Sequence, residues 1–345
     1  MPDKALLEVD DLHVSFRVEE GMVRAVDGVS FELRAGEVLA VVGESGSGKS
    51  VTAMSLMGLT RGPNSQIEGH ARLNGTDLIA ASEDELRKVR AAQMAMIFQD
   101  PMTSLNPVYR VGDQITEQIH AHEDVSKDEA NRRAVELLES VGIPDAPERV
   151  HAYPHEFSGG MRQRAMIAMA LSLSPEILIA DEPSTALDVT IQAQILRLLE
   201  RLNRDRGLAV ILITHDLGVV AEIADRIVVM YGGRIVESGT LDQIFYDPQH
   251  PYTWGLLGSV TRLDRPRTRR LAQIKGQPPS LVSPPAGCHF RPRCPHAFSR
   301  CTEVPPLETR VGEGAHADRC WLSADQKRTL RVLESGDIGL EAPAA

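Results

Sequence analysis

Short apolar runs alternate along this chain with longer stretches of helical spacing. Leu178-Ile179-Ala180 and the runs Val38 to Val42, Met94 to Phe98, Ala209 to Ile213 and Arg226 to Met230 predict strands. Leu6 to Val9 and Val29 to Leu33 predict edge strands, and Gln66 to Leu73 a further one closed by the turn Asn74-Gly75. Helical spacing covers Ser50 to Met57 and Thr190 to Leu202, and a helix starts near Ser158 with Met161, Ala165, Ala168 and Met169 on its inner face. From Val111 to Val141 the pattern is also helical, with Ile115, Ile119, Val135, Leu137 and Leu138 as apolar contacts. This insert predicts a helical subdomain between two α/β portions. Strands that alternate with helices imply a mostly parallel sheet with an antiparallel β edge, and such sheets bind ligands beyond the carboxyl ends of their strands.

Those ends carry the chemistry. Gly43-Glu44-Ser45-Gly46-Ser47-Gly48-Lys49-Ser50 follows a strand and opens a helix, the context a phosphate loop requires. Its glycines let successive N–H groups turn inward toward phosphate oxygens, and the following helix, entered through Ser50 and Val51, adds its positive end. Lys49 is placed to reach the outer phosphates of a nucleoside triphosphate and the Ser50 hydroxyl to ligate Mg²⁺. Asp181 ends an apolar strand and suits the magnesium role, while its neighbour Glu182 faces an attacking water as general base. Helix capping is the plainer use of such a pair, and the phosphate loop upstream argues against it. Gln99 and His215 stand at the ends of two further strands, where a histidine can contact the outermost phosphate. Phe16, ahead of the turn Glu19-Glu20-Gly21, serves either as packing or as a ring for stacking on a purine.

Composition narrows the setting. The 345 residues and 42% hydrophobic content allow one large core with a smaller appendage. No apolar run approaches the roughly 18 residues that cross a bilayer, and Met1-Pro2-Asp3-Lys4 lacks the basic-then-apolar start of an export signal, so the expectation is a cytosolic chain. A formal charge of −11 argues against a general nucleic-acid binder. The basic stretch from Arg262 to Lys275 reads as a solvated linker. All four cysteines, Cys288, Cys294, Cys301 and Cys320, fall in one C-terminal region, with five, six and eighteen residues between successive members. In a cytosolic chain such clustering points to metal. Four thiolates can complete a tetrahedral zinc site or hold an iron–sulfur cube.

Phe157-Ser158-Gly159-Gly160-Met161-Arg162-Gln163 resembles the signature segment of ABC transporter ATP-binding subunits, and Ser184-Thr185-Ala186-Leu187-Asp188 is similar to their D-loop. With the phosphate loop, Gln99 and His215, five motifs stand in that family's order, and the resemblance runs from Leu6 to about Leu322. It implies a P-loop ABC ATPase fold and a head-to-tail dimer in which Ser158, Gly159 and Gly160 of one subunit meet the ATP held by the other. It also implies Phe16 as the adenine-stacking ring, with magnesium held by Ser50, Gln99 and Asp181. Phe157 and Met161 replace the more usual leucine and glutamine.

Gln99 to Pro107 and His250-Pro251-Tyr252 resemble the dipeptide/oligopeptide importer ATPases, a group that includes nickel importers. The organisation expected is a nucleotide-binding domain over 5–250 with its helical subdomain at about 100–170, a four-cysteine extension over 251–325 and a tail over 326–345. The group resemblance implies a 4Fe-4S cluster on the cysteines, with Zn²⁺ as the alternative and His289, His296 and His316 as substitute ligands. It implies a second ATPase subunit, usually a paralogue, two membrane permease subunits and an extracytoplasmic substrate-binding protein, on the cytoplasmic face of the membrane and without nucleic acid. The activity implied is ATP-driven peptide uptake. The alternatives are import of nickel or another small solute, or a soluble ABC ATPase acting on nucleic acid. A small-molecule kinase shares the phosphate loop but gives no reason for the Ser158 segment.

Overall fold

The computed structural model describes residues 5–99, 104–183, 188–259, 274–309 and 316–335. It divides into two compact units, one built from Met1–Leu7, Glu32–Val38 and Arg72–Thr214, the other from Glu8–Phe31, Leu39–Ala71 and His215–Ala345.

In the first unit the strands Met94–Ile97, Ile177–Asp181 and Ala209–Thr214 run parallel, with Ala95 opposite Leu178 and Leu178 opposite Val210. Every residue of the last two is buried. Strands covered on both faces read as continuous apolar runs, which is why they are legible in the sequence. Their shared direction brings Gln99 and the pair Asp181-Glu182 to one end of this sheet portion. The stretch read as one helical insert is two helices, Val111–His122 and Lys127–Ser140. Ser126 caps the second by accepting the Glu129 N–H at 3.2 Å. Its buried stripe is Ala130, Ala134 and Leu138, so Val135 and Leu137, expected as contacts, are only half-buried. Both helices pack with a third, Gly159–Ala170. In that helix Ala165 and Ala168 are buried as expected, while Met161 and Met169 are half-exposed and Met166 and Ile167 take the inner positions.

In the second unit the strands predicted at Leu6–Val9 and Val29–Leu33 are much longer, Leu7–Val18 and Gly21–Leu33. The brief connection Glu19-Glu20 lets them fold back on each other, and Phe16 therefore lies within a strand, half-buried. Ser65–Leu73 joins them on the other side of Leu7–Val18. There Gly69 (φ +94°) admits no side chain, because a Cβ would lie 2.2 Å from the Asp11 carbonyl oxygen.

Val38–Val42 pairs in parallel with Arg226–Tyr231, which pairs antiparallel with Arg234–Thr240. The C-terminal region continues this sheet: Ala317 and Asp318 pair with Ser238 and Glu237. The buried Glu237 carboxylate there accepts the backbone N–H groups of Gln249 (2.6 Å) and His250 (2.9 Å) and bonds His316 Nε2 at 2.9 Å. Close by in sequence, Lys327 Nζ meets Asp318 Oδ1 at 2.6 Å, both side chains 2% exposed. Buried charges at these positions are held by hydrogen-bonded partners, as desolvation demands.

Candidate nucleotide site and cysteine pocket

The loop between Val38–Val42 and the helix Lys49–Leu56 has its crest, Ser45 and Gly46, exposed and its base, Gly43, Ser47, Gly48 and Lys49, buried. Gly43, Gly46 and Gly48 all take positive φ. A Cβ at Gly43 would stand 2.2 Å from the Met230 carbonyl oxygen, and one at Gly48 would stand 2.3 Å from that of Ala25. The sharp curl at both ends is thus available only to glycine. Lys49 Nζ donates to the carbonyl oxygens of Gly43 (2.7 Å) and Glu44 (3.0 Å), so the ammonium is held against the loop backbone. Ser50 and Val51 open the helix, and the Thr52 hydroxyl ties back to the Gly48 carbonyl at 2.9 Å.

The strand Ile177–Asp181 delivers Asp181, 5% exposed, at its carboxyl end. Glu182 follows in a left-handed conformation (φ +46°), its N–H donating to the Ile213 carbonyl at 2.9 Å. That conformation is costly for a residue with a side chain and tends to mark functional sites. Gln99 Nε2 donates to Glu182 Oε2 at 2.9 Å, so the structure brings together two residues that the sequence places 83 positions apart.

Ser158 caps the helix Gly159–Ala170, accepting the Met161 N–H at 3.3 Å. Ser158 and Gly159 are exposed. Gly160 is buried against the helix Val189–Arg206, where a Cβ would meet Ile191 at 2.8 Å. Asp188 caps that second helix through the Ile191 N–H. The rest of the D-loop resemblance, 184–187, lies outside the described residues, as do Asp100 to Thr103 and nearly all of the basic stretch, 262–273. His215 follows the strand Ala209–Thr214, just before the helix Leu217–Ile223.

All four cysteines are free and line a single pocket together with His250, Phe290 and Trp321. The backbone closes part of this pocket, Cys288 N–H donating to the Cys301 carbonyl at 3.0 Å. Burial pushes the Cys294 and Cys320 thiols up to about 12 and that of Cys288 upward as well. Of the histidines offered as substitute ligands only His296 reaches the pocket lining. His289 bonds the Gly232 carbonyl (2.7 Å) and His316 bonds Glu237, so both are engaged elsewhere. Among the described residues no three His, Cys, Asp or Glu side chains gather as a site for one metal ion.

Sequence reasoning missed Arg293 altogether and gave Tyr252 no role at the nucleotide site. Arg293 and Tyr252 both bond Glu44 of the phosphate loop, and nothing in their spacing signals a contact across more than 200 positions. Apart from the family resemblance, His250-Pro251-Tyr252 reads in the sequence only as a turn with an aromatic anchor. His250 does cap the helix Pro251–Gly258, its Nδ1 accepting the Tyr252 N–H at 3.1 Å. Burial pulls the imidazole down to about 3, which keeps that nitrogen an acceptor.

A family model described as ABC transporter matches residues 26–185, and one described as oligopeptide/dipeptide transporter, C-terminal region, matches 236–301. The dipeptide transport ATP-binding protein DppD of Bacillus subtilis is 53% identical over 96% of this chain and 98% of its own length. The chain belongs to the ATP-binding proteins of ABC transporters, in the dipeptide/oligopeptide group. The oligopeptide transport ATP-binding protein OppD of Salmonella typhimurium is 55% identical over 89% of this chain and 91% of its own. Among solved structures, the dimeric form of MJ0796, a bacterial ABC transporter cassette, matches with a TM-score of 0.61 and 27% identity over 68% of this chain and 98% of that one. As a member of this family the chain is an ATPase of the ABC fold. No helix among the described residues is long and apolar enough to cross a membrane.

Proposed function

We propose that this chain is the ATP-hydrolysing subunit that powers uptake of dipeptides or oligopeptides through a membrane importer, bound peripherally at the cytoplasmic face. The observation that carries this reading is the match to DppD along nearly the whole of both chains, C-terminal region included. Import of nickel or action on nucleic acid has no comparable support. The partners are two permease subunits, an extracytoplasmic binding protein and a second ATPase, most simply a paralogue.

Two ATP molecules are sandwiched between the paired ATPases, each gripped by the phosphate loop of one and the Ser158-Gly159-Gly160 helix tip of the other. The exposed crest at Ser45-Gly46 and the exposed tip at Ser158-Gly159 support this arrangement, as does the likeness to a dimeric cassette. Phe16 stacks on the adenine. Ser50, Gln99 and Asp181, a set of oxygen donors suited to a hard cation, are the residues to hold Mg²⁺, which when bound offsets the charge of the phosphates. Glu182 takes a proton from the attacking water while Gln99 orients its carboxylate, and His215 contacts the outermost phosphate.

For the cysteines the reading is a 4Fe-4S cluster. Four unpaired thiols around one pocket provide the donor set it needs. Zinc on the same thiolates is the alternative. A bound cluster supplies a staple for a region with little regular structure. Anaerobically purified protein should be brown, with iron and labile sulfide in equal amounts, and Cys294→Ser should bleach it. A colourless, zinc-loaded sample would end this assignment.

The transport reading is tested by reconstituting the chain with its neighbouring permeases, second ATPase and binding protein in lipid vesicles. Peptide-loaded binding protein should raise ATP turnover several-fold and labelled peptide should accumulate only with ATP. Turnover indifferent to peptide but raised by RNA or DNA would overturn it.

A further inference from the structure

Glu44 is the one charged residue in the loop besides Lys49, and its acidic side chain sits in the element that must receive a triphosphate. Repulsion between a carboxylate and phosphate at such range weakens binding unless a cation intervenes. Here one does. Arg293 reaches Glu44 with a two-pronged contact, Nη1 to Oε2 at 2.6 Å and Nη2 to Oε1 at 3.0 Å. The remaining donors of the guanidinium go to the Tyr231 hydroxyl (3.2 Å) and to the carbonyl oxygens of Lys275 (2.9 Å) and Ile274 (3.2 Å). All five N–H groups are thereby spent, and the side chain is 5% exposed. The backbone of Glu44 is fixed as well: its N–H donates to the Tyr252 hydroxyl at 2.8 Å, and its carbonyl accepts both Lys49 Nζ and the Ser47 N–H.

Arg293 belongs to the short turn Arg291–Arg293, whose end is pinned where the Cys294 N–H donates to the Phe290 carbonyl at 3.0 Å. Tyr252 comes from the helix that follows His250. The contacts thus join the cysteine-bearing region directly to the phosphate loop.

We propose that Arg293, seconded by Tyr252, is a positioning residue for the nucleotide site: it neutralises Glu44 and holds the phosphate loop in its binding shape, so that ATP affinity is set in part by the C-terminal cysteine region. The proposal rests on Gly43–Ser50 being the phosphate loop and not on what fills the cysteine pocket.

The experiment is a titration of the purified full chain with a fluorescent ATP analogue. Arg293→Met should raise Kd about ten-fold, the loss expected when a buried partner leaves a like charge facing the phosphates. Adding Glu44→Gln to that variant should lower Kd again about five-fold, because the uncompensated charge is gone. Tyr252→Phe should raise Kd about three-fold, the scale of one neutral hydrogen bond. Should Arg293→Met fail to fold, Arg293→Lys keeps the charge but not the fork, and its weaker rise in Kd should respond to Glu44→Gln in the same direction. An unchanged Kd in the foldable variant, or a raised Kd that Glu44→Gln leaves where it is, overturns the proposal. A residue that merely stabilised the fold would show a lowered unfolding midpoint without that rescue. Loss of binding in Lys49→Ala would uphold the phosphate loop and unchanged binding would overturn it, separately from this coupling.

Discussion

Lys49→Ala should reduce ATP turnover of the assembled transporter by about a hundredfold or more, the scale for removing one preorganised group that stabilises developing charge. Two effects combine. The ammonium is the cation of the loop itself, so the outer phosphates lose the group that follows their charge into the transition state. The same ammonium bridges the Gly43 and Glu44 carbonyl oxygens, and those acceptors are left facing inward without it. Binding of a fluorescent ATP analogue should weaken along with turnover. Lys49→Arg should not restore activity, since a planar fork does not reproduce the compact ammonium's bonds to the Gly43 and Glu44 carbonyl oxygens. Hydrolysis within threefold of the unaltered chain would refute the assignment of Lys49.

The second large effect is expected at Glu182. Glu182→Gln should lower kcat by about 10²- to 10⁴-fold, the range for losing a positioned general base, while ATP affinity stays within about threefold. Geometry supports the separation of the two. An amide of the same shape can still accept the Gln99 N–H at the place Oε2 now occupies, and the backbone bond to Ile213 does not involve the side chain. The left-handed backbone at φ +46° is equally accessible to glutamine and glutamate. What changes is the capacity to take a proton. Single-turnover hydrolysis by the assembled complex measures it, and an unchanged rate would remove Glu182 from the role of base.

How legible this protein was varied with the kind of pattern involved. Fully buried strands such as Ile177–Asp181 announce themselves as unbroken apolar runs, and capped helices such as Gly159–Ala170 announce their starts. Strand Leu7–Val18 was foreshortened because many of its residues are half-exposed, so its alternation is diluted by polar and charged side chains. In helix Lys127–Ser140 the buried Ala130, Ala134 and Leu138 stand four residues apart on one face, so Leu138 is buried as expected while Val135 and Leu137 lie off that face.

The local motifs were fixed by the sequence alone: a glycine loop between strand and helix, an acidic pair closing an apolar strand, a serine-glycine helix tip and a four-cysteine tail. Each depends on residues close in the chain, whose spacing dictates backbone shape. Tertiary structure alone decided that Gln99 holds Glu182, that the four thiols share one pocket, and that Arg293 and Tyr252 reach the phosphate loop. Those contacts join residues far apart in the chain, and their geometry is settled by strand pairing and core packing, which no local spacing encodes.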